Sequence, residues 1–298
     1  MNYLPFSLLS FFLNSIALTA DKFLLTKTIA DPIIYTFYFS LVSFIAIFLI
    51  PFTHVPNLMV FIFASVSTIV WTIGAYCMLK ALRLGQVQRV IPVIGTITPL
   101  VLLILATQTK SITNSQTLAI ILSVLGLIFL TIGDWKGKLI KNELLLELLS
   151  GTFFAISYYF LRLAFLKNDF LTVLVWSKII LLPLGIMFLL IPAFKKKIMP
   201  ILHPKNNALQ KGLPLFVFGQ LSAGLSELLL TFSISLANPA IVNSLQGIKY
   251  IFLLIFSLIL GKKYPEVFKN KTSIYFLISQ TLGIGLIGAG LYLLAFSN

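Results

Sequence analysis

Charge is scarce in this sequence: only 10% of its 298 residues are Asp, Glu, Lys or Arg, and 59% are hydrophobic, whereas a soluble domain is about a quarter charged and about half apolar. That shortage excludes a water-soluble fold. Acidic residues number only eight, with no paired acidic motif and no HExxH, so neither a metal-dependent hydrolase nor a catalytic dyad has its ligands. Histidine is nearly absent as well. His54 and His203 lie in connections beside prolines. One cysteine, Cys77, sits in an apolar run, which excludes an internal disulfide and a Cys-based metal site. No enzyme, cofactor or metal is expected.

Positive charge is present in excess, at a formal +14. In a soluble protein that would suggest nucleic acid, but here the basic residues sit mostly in short connections between apolar runs. There they set topology and meet anionic headgroups, so the expected partner is the lipid bilayer and not nucleic acid. The opening segment lacks a basic n-region and a small-residue cleavage site, and it continues to Asp21 and Lys22. It reads as a retained first helix.

About 20 apolar residues span the hydrocarbon as a helix, because unpaired backbone polar groups are too costly there. Breaks at Pro, Gly and charged clusters give ten such runs: 4–25, 32–50, 58–80, 87–106, 115–133, 145–165, 170–192, 213–235, 239–260 and 274–296. The sizeable connections, 134–144, 195–212 and 261–273, are too short for a soluble domain. The expected fold is all-α: a multi-pass protein of the cell membrane, monomer or homodimer, with ten transmembrane helices.

Internal duplication is visible in spacing. Asp31 aligns with Asp169 at an offset of 138, with Leu49-Ile50-Pro51 recurring nearby as Leu190-Ile191-Pro192. Leu84 and Gly95 meet Leu236 and Gly247 at 152; Leu125-Gly126 and Gly133 meet Leu282-Gly283 and Gly290 at 157. The offset grows where the second half has longer connections, as a duplication with loop insertions requires. This predicts two five-helix repeats, 1–138 and 139–298. Seventeen of the 22 basic residues follow runs one, three, five, seven and nine. They therefore follow odd helices in the first half and mainly even ones in the second, as inverted repeats predict. Charge bias puts that side in the cytoplasm and both termini outside.

Ten helices in two halves resemble the drug/metabolite transporter superfamily, in its EamA-like branch. The likeness rests on Ala81-Leu82-Arg83-Leu84-Gly85 followed by Pro92 and Pro99, on Leu125-Gly126 to Gly133 and Leu282-Gly283 to Gly290 as closing helices, and on Asp21-Lys22-Phe23-Leu24 at the end of the first. One departure is the acidic residue after the fourth helix of each half, missing near Lys110 and displaced to Glu266. The resemblance implies a carrier of amino acids, nucleobases or other small metabolites, often an exporter, with no ATP-hydrolysing domain. It also implies both termini inside, against the charge bias.

Ionisable groups in hydrocarbon are costly and mark transport pathways. Glu227, Lys249 and Lys178 fall roughly 12 to 15 Å from one membrane face at 1.5 Å per residue, a depth at which Glu227 and Lys249 can pair. The expected role is binding of a carboxylate- or phosphate-bearing solute, with Glu227 taking up a coupling proton. The plainer reading is a packing ion pair, with Lys178 snorkelling to the headgroups. Asn14 and Trp71 sit near mid-span in the other half, and Asn243 and Gln246 lie within about a turn of Lys249. Together they suggest amide, aromatic and charged walls for a polar or zwitterionic solute, the alternative being interhelical glue. Tyr76, Tyr158 and Tyr159 rank below these. Pro92, Pro99 and Pro183 are expected as bending points, and Gly126, Gly133, Gly283, Gly285, Gly288 and Gly290 as sites of close helix approach. Asp21-Lys22 reads as a solvated pair at a membrane face, Lys195-Lys196-Lys197 as a headgroup anchor. A flippase for lipid-linked substrates and a non-transporting membrane protein are the other readings.

Overall fold

The computed structural model describes residues 2–27, 31–85, 87–108, 112–132, 141–202, 207–264 and 274–296. Lys110, Gly133, Lys136, Lys138, His203, Lys205, Glu266, Lys269 and Lys271 lie outside the described residues. The described residues form helices: α1 (Leu4–Lys27), α2 (Pro32–Val42) continued by a 3₁₀ segment (Ser43–Phe52), α3 (Leu58–Leu84), α4 (Val87–Gln108), α5 (Asn114–Ile132), α6 (Lys141–Phe165), α7 (Phe170–Ile179), α8 (Leu181–Leu190), α9 (Pro192–Leu202), α10 (Asn207–Leu236), α11 (Pro239–Ser244), α12 (Gly247–Gly261) and α13 (Ile274–Phe296).

Short polar residues start several of them. Asn57 accepts from the Val60 amide (2.9 Å) and Asp169 from that of Thr172 (2.9 Å), each satisfying an orphan first-turn donor. Asp31 accepts likewise from Ile33 (3.1 Å), so the two aspartates aligned at an offset of 138 both head helices. Thr113 and Gln116 exchange side-chain-to-amide bonds at the start of α5, a reciprocal capping box.

Seven helical stretches are long and apolar enough to cross a membrane: Leu4–Lys27, Leu58–Leu84, Arg89–Thr107, Lys141–Phe165, Phe170–Leu190, Gly212–Leu236 and Pro239–Gly261. This is a multi-pass, all-helical membrane protein. The fifth and tenth runs form α5 and α13, within which Asn114–Phe129 and Thr281–Leu294 are apolar. The second run tightens into the 3₁₀ segment after Val42. The seventh run breaks at Ile180, where Pro183 has no N–H to give the Ile179 carbonyl. Pro92 and Pro99 lie inside α4, which runs on past both. Large apolar side chains such as Leu221 and Ile259 face outward, while Ser and Thr fill the interior.

The broadest packing is of α1 on α10, α3 on α6 and α5 on α13. Ser10 and Ser226 donate to each other's carbonyls across α1 and α10 (2.7 and 2.9 Å), and the Ser67 and Ser157 hydroxyls meet across α3 and α6 (3.1 Å). A Cβ at Gly126 would lie 2.7 Å from the Gly283 carbonyl, and one at Gly290 would lie 2.8 Å from that of Ala119, so glycine sets how near α5 and α13 come. Gly285 and Gly288 have nothing within 4 Å of a Cβ, which removes them from the expected close-approach set.

Asp21 and Lys22 are not a solvated pair, because α1 extends past them to Lys27 and both are buried. Lys22 donates to the carbonyls of Leu82 (2.9 Å) and Gly85 (2.7 Å), capping α3 at the negative end of its dipole. Arg162, near the end of α6, does the same for α10 through Ile234 (2.9 Å) and Ser235 (2.6 Å). The Lys195–Lys197 run is exposed on α9, and Lys197 pairs with Asp31 at 2.9 Å.

Candidate functional site

The ninth apolar run does not cross as one helix. Between α11 and α12 the amides of Leu245, Gln246, Ile248 and Lys249 bond three residues back instead of four. Gly247 sits in this break against α13, where a Cβ would lie 2.7 Å from Ile287. The tightened turns stack Asn243, Gln246 and Lys249 into a relay. Asn243 Nδ2 donates to the Pro239 carbonyl (2.9 Å), Gln246 Nε2 to Asn243 Oδ1 (2.9 Å), and Lys249 Nζ to Gln246 Oε1 (3.1 Å). All three are buried, and Lys249 also lies over the Tyr250 ring at 5.3 Å. Among the described residues no carboxylate lies within ion-pair distance of Lys249. An ammonium has three donors; one is committed to Gln246.

Lys249, Gln246 and Asn243 form one wall of a cavity of about 80 Å³, closed opposite by Asn14, Trp71 and Glu227. The Tyr250 hydroxyl anchors this wall to α4 by donating to the Ile91 carbonyl (2.8 Å), in the space that a side chain at Gly95 would take. Asn14, Trp71, Met78 and Glu227 also line a second cavity of about 90 Å³, which extends along α1 to Asp21, Tyr35 and Thr36. A water needs about 10–15 Å³ of such space, so each compartment holds several, although a typical ligand pocket is about 300–1,000 Å³. Beyond the first cavity, towards Tyr3 and Arg162, lies a vestibule of about 510 Å³ with mostly apolar walls. Vestibule and both compartments follow α1 in order from Tyr3 through Asn14 to Asp21.

The residues expected from sequence are therefore gathered in one place: Asn14, Trp71, Glu227, Asn243, Gln246 and Lys249 share the first cavity. The expected pairing of Glu227 with Lys249 is not formed. Glu227 faces Lys178 at 3.9 Å, and Lys178 lies over the Trp71 ring at 5.7 Å. Equal depth along two helices left their facing undetermined, and the break at Leu245 turns Lys249 towards Gln246. Lys178 does not snorkel away, because it sits where α7 ends and is held between Trp71 and Glu227. Tyr158 also lines the cavity, Tyr159 lines the vestibule and Tyr76 carries Lys80 over its ring.

Three features went unread in the sequence. Asp21 and Tyr35 were hidden by the adjacent Lys22 and by an assumed membrane boundary. Arg89 forms an ion pair with Glu143, which is 1% exposed, and Glu147 is buried one turn on. The spacing of Glu143 and Glu147 on one helix face was the available signal. Arg162 stands near the end of the sixth run, and nothing in the sequence marks the α10 carbonyls it reaches.

No protein-family model matches the sequence. No curated protein matches it either. A solved crystal structure is similar at TM-score 0.62 and 12% identity, covering 96% of this chain and 98% of that one. A likeness at that identity concerns the fold, and it extends over the whole length of both chains.

Proposed function

We propose that this protein is a secondary transporter of the EamA-like kind, moving a small polar metabolite such as an amino acid across the cell membrane by alternating access. The observation that carries this reading is the Lys249 ammonium, buried at a helix break without a carboxylate partner among the described residues and facing a polar cavity. An isolated charge there is costly unless a ligand completes it. A solute carboxylate or phosphate on Lys249 does so, with Gln246, Asn14 and Trp71 fixing its orientation and Glu227, held by Lys178, on the opposite wall. A broken helix lining a midplane cavity is the usual setting of such a site.

Two inverted five-helix repeats, in ten spans, supply the moving parts. Packing supports them, for exchanging the halves turns the contact of α1 with α10 into that of α6 with α3 and returns α5 with α13 to itself. The caps agree. Lys22 holds the end of α3 and Arg162 the end of α10, and Leu82 and Ile234 differ by the same 152 as Leu84 and Leu236.

Counterflow in proteoliposomes, with amino acids, nucleosides and sugar phosphates as the panel, tests the reading. Lys249→Ala and Glu227→Gln are each expected to abolish the exchange that the unaltered chain supports. Exchange that survives Lys249→Ala refutes the assignment. The apolar vestibule favours a second reading, a flippase of amphipathic lipid-linked substrates. A change in headgroup accessibility of a fluorescent lipid, with no counterflow of soluble solutes, would select it.

A further inference from the structure

The two central compartments share Asn14, Trp71 and Glu227 but differ in the polar groups each adds. The first adds the Lys249 ammonium with Asn243 and Gln246. The second adds Asp21, Tyr35, Thr36 and Thr72. Asp21 is 8% exposed and Tyr35 is 3% exposed, and among the described residues neither Asp21 Oδ1 nor the Tyr35 hydroxyl has a hydrogen-bond partner. The Thr36 hydroxyl donates to the Pro32 carbonyl (3.0 Å) and that of Thr72 to the Thr68 carbonyl (2.8 Å). Their hydrogens are thereby committed to the helices, and their oxygens remain as acceptors in the cavity wall.

Nothing described neutralises Asp21. Lys22, next along α1, is turned to Leu82 and Gly85. On α2 the facing titratable group is Tyr35, α3 brings Thr72, Ala75, Met78 and Leu79, and α10 brings Gln220 and Glu227. The Glu227 carboxylate is engaged by Lys178 on α7, and Lys249 on α12 lines only the other compartment. At Gly219 of α10 even a Cβ would stay 4.0 Å from Asp21 Oδ1. A carboxylate, a phenol oxygen and two hydroxyl oxygens around a space large enough for a small ion make a hard, oxygen-only ligand set.

We propose that Asp21, Tyr35, Thr36 and Thr72 form a monovalent-cation site, distinct from the Lys249 site, that takes the coupling ion as Na⁺ or as a proton on Asp21. It rests on the transport reading only for the word coupling; cation binding stands by itself. An anionic solute beside Lys249 and a cation beside Asp21 would then bind at two ends of one polar channel, with Asn14, Trp71 and Glu227 between them.

The unaltered full-length protein in detergent is treated with dicyclohexylcarbodiimide, which modifies a protonated carboxyl in apolar surroundings, and Asp21 is followed by mass spectrometry. Labelling of Asp21 that falls about tenfold as Na⁺ replaces choline identifies a sodium site. Labelling that falls only as pH rises, whatever the Na⁺, identifies a proton site. In both cases Tyr35→Phe is expected to shift the Na⁺ concentration or pH at half-effect. Asp21 that stays unlabelled at every pH, with or without Na⁺, overturns the proposal. Since no solute is needed, a failed counterflow experiment with Asp21 still protected by cations removes the transporter and leaves the site. Counterflow with unchanged ion dependence in Asp21→Asn removes the site and leaves the transporter.

Discussion

Two buried lysines show how much the partner of a charge decides. Lys22 donates to the carbonyls of Leu82 and Gly85, whereas Lys249 donates to Gln246 and has no anion among the described residues. Removing the first leaves two helix-end carbonyls unsatisfied, each a loss of about 1–3 kcal/mol. Removing the second relieves a desolvated ion, and apolar replacement of buried charge is often stabilising by about 1–4 kcal/mol. Lys22→Met is therefore expected to lower the thermal unfolding midpoint in detergent, and Lys249→Met to raise it while abolishing counterflow. A lowered midpoint in Lys249→Met would mean that its ammonium is stabilised by something other than a ligand. Sequence alone could mark Lys249 as costly. It could not separate it from Lys22, because Lys22 reaches carbonyls at least 60 residues along the chain whereas Lys249 reaches Gln246, three residues back.

At the scale of helices, glycine spacing was readable and its consequence was not. Leu125-Gly126 and Leu282-Gly283 match in sequence, and Gly126 meets Gly283 where α5 and α13 cross, but Gly285 and Gly288 in the same stretch face open space. A helix repeats every 3.6 residues, so neighbouring glycines cannot all share one face. Gly126→Val would force the crossing apart and is expected to cost about 1–3 kcal/mol of stability. Gly285→Val, in open surroundings, should leave the unfolding midpoint nearly unchanged; equal effects of the two would place the helix contact elsewhere. The breaks follow the same logic. Pro183 announced the one in the seventh run, since a missing N–H is a sequence property. The break at Leu245 had no proline to announce it, and there the packing of Gly247 on Ile287 decides.

Across the whole molecule, the cavities along α1 are unequal: the vestibule beside Arg162 is several times larger than either inner compartment, while Glu143, paired with Arg89, and Glu147 are buried in the half that holds Lys22. If the halves are inverted as proposed, each end is the image of the other and the opposite state exchanges the roles of Lys22 and Arg162. On the charge count we propose that the basic connections, and with them the Lys22 end, face the cytoplasm and that the vestibule faces outward. Cysteine accessibility in whole cells decides both points, and the buried Cys77 can first be replaced by alanine. With an impermeant maleimide, Asn168→Cys beside the vestibule and Ala237→Cys within it are expected to label from outside, and Lys263→Cys only after the cells are opened. Labelling of Lys263→Cys in intact cells would reverse the orientation, and equal access at Asn168 and Lys263 would remove the inverted arrangement. If the orientation holds, a solute found by counterflow should slow labelling at Ala237→Cys, because occupancy that drives the switch closes the vestibule in which that cysteine stands.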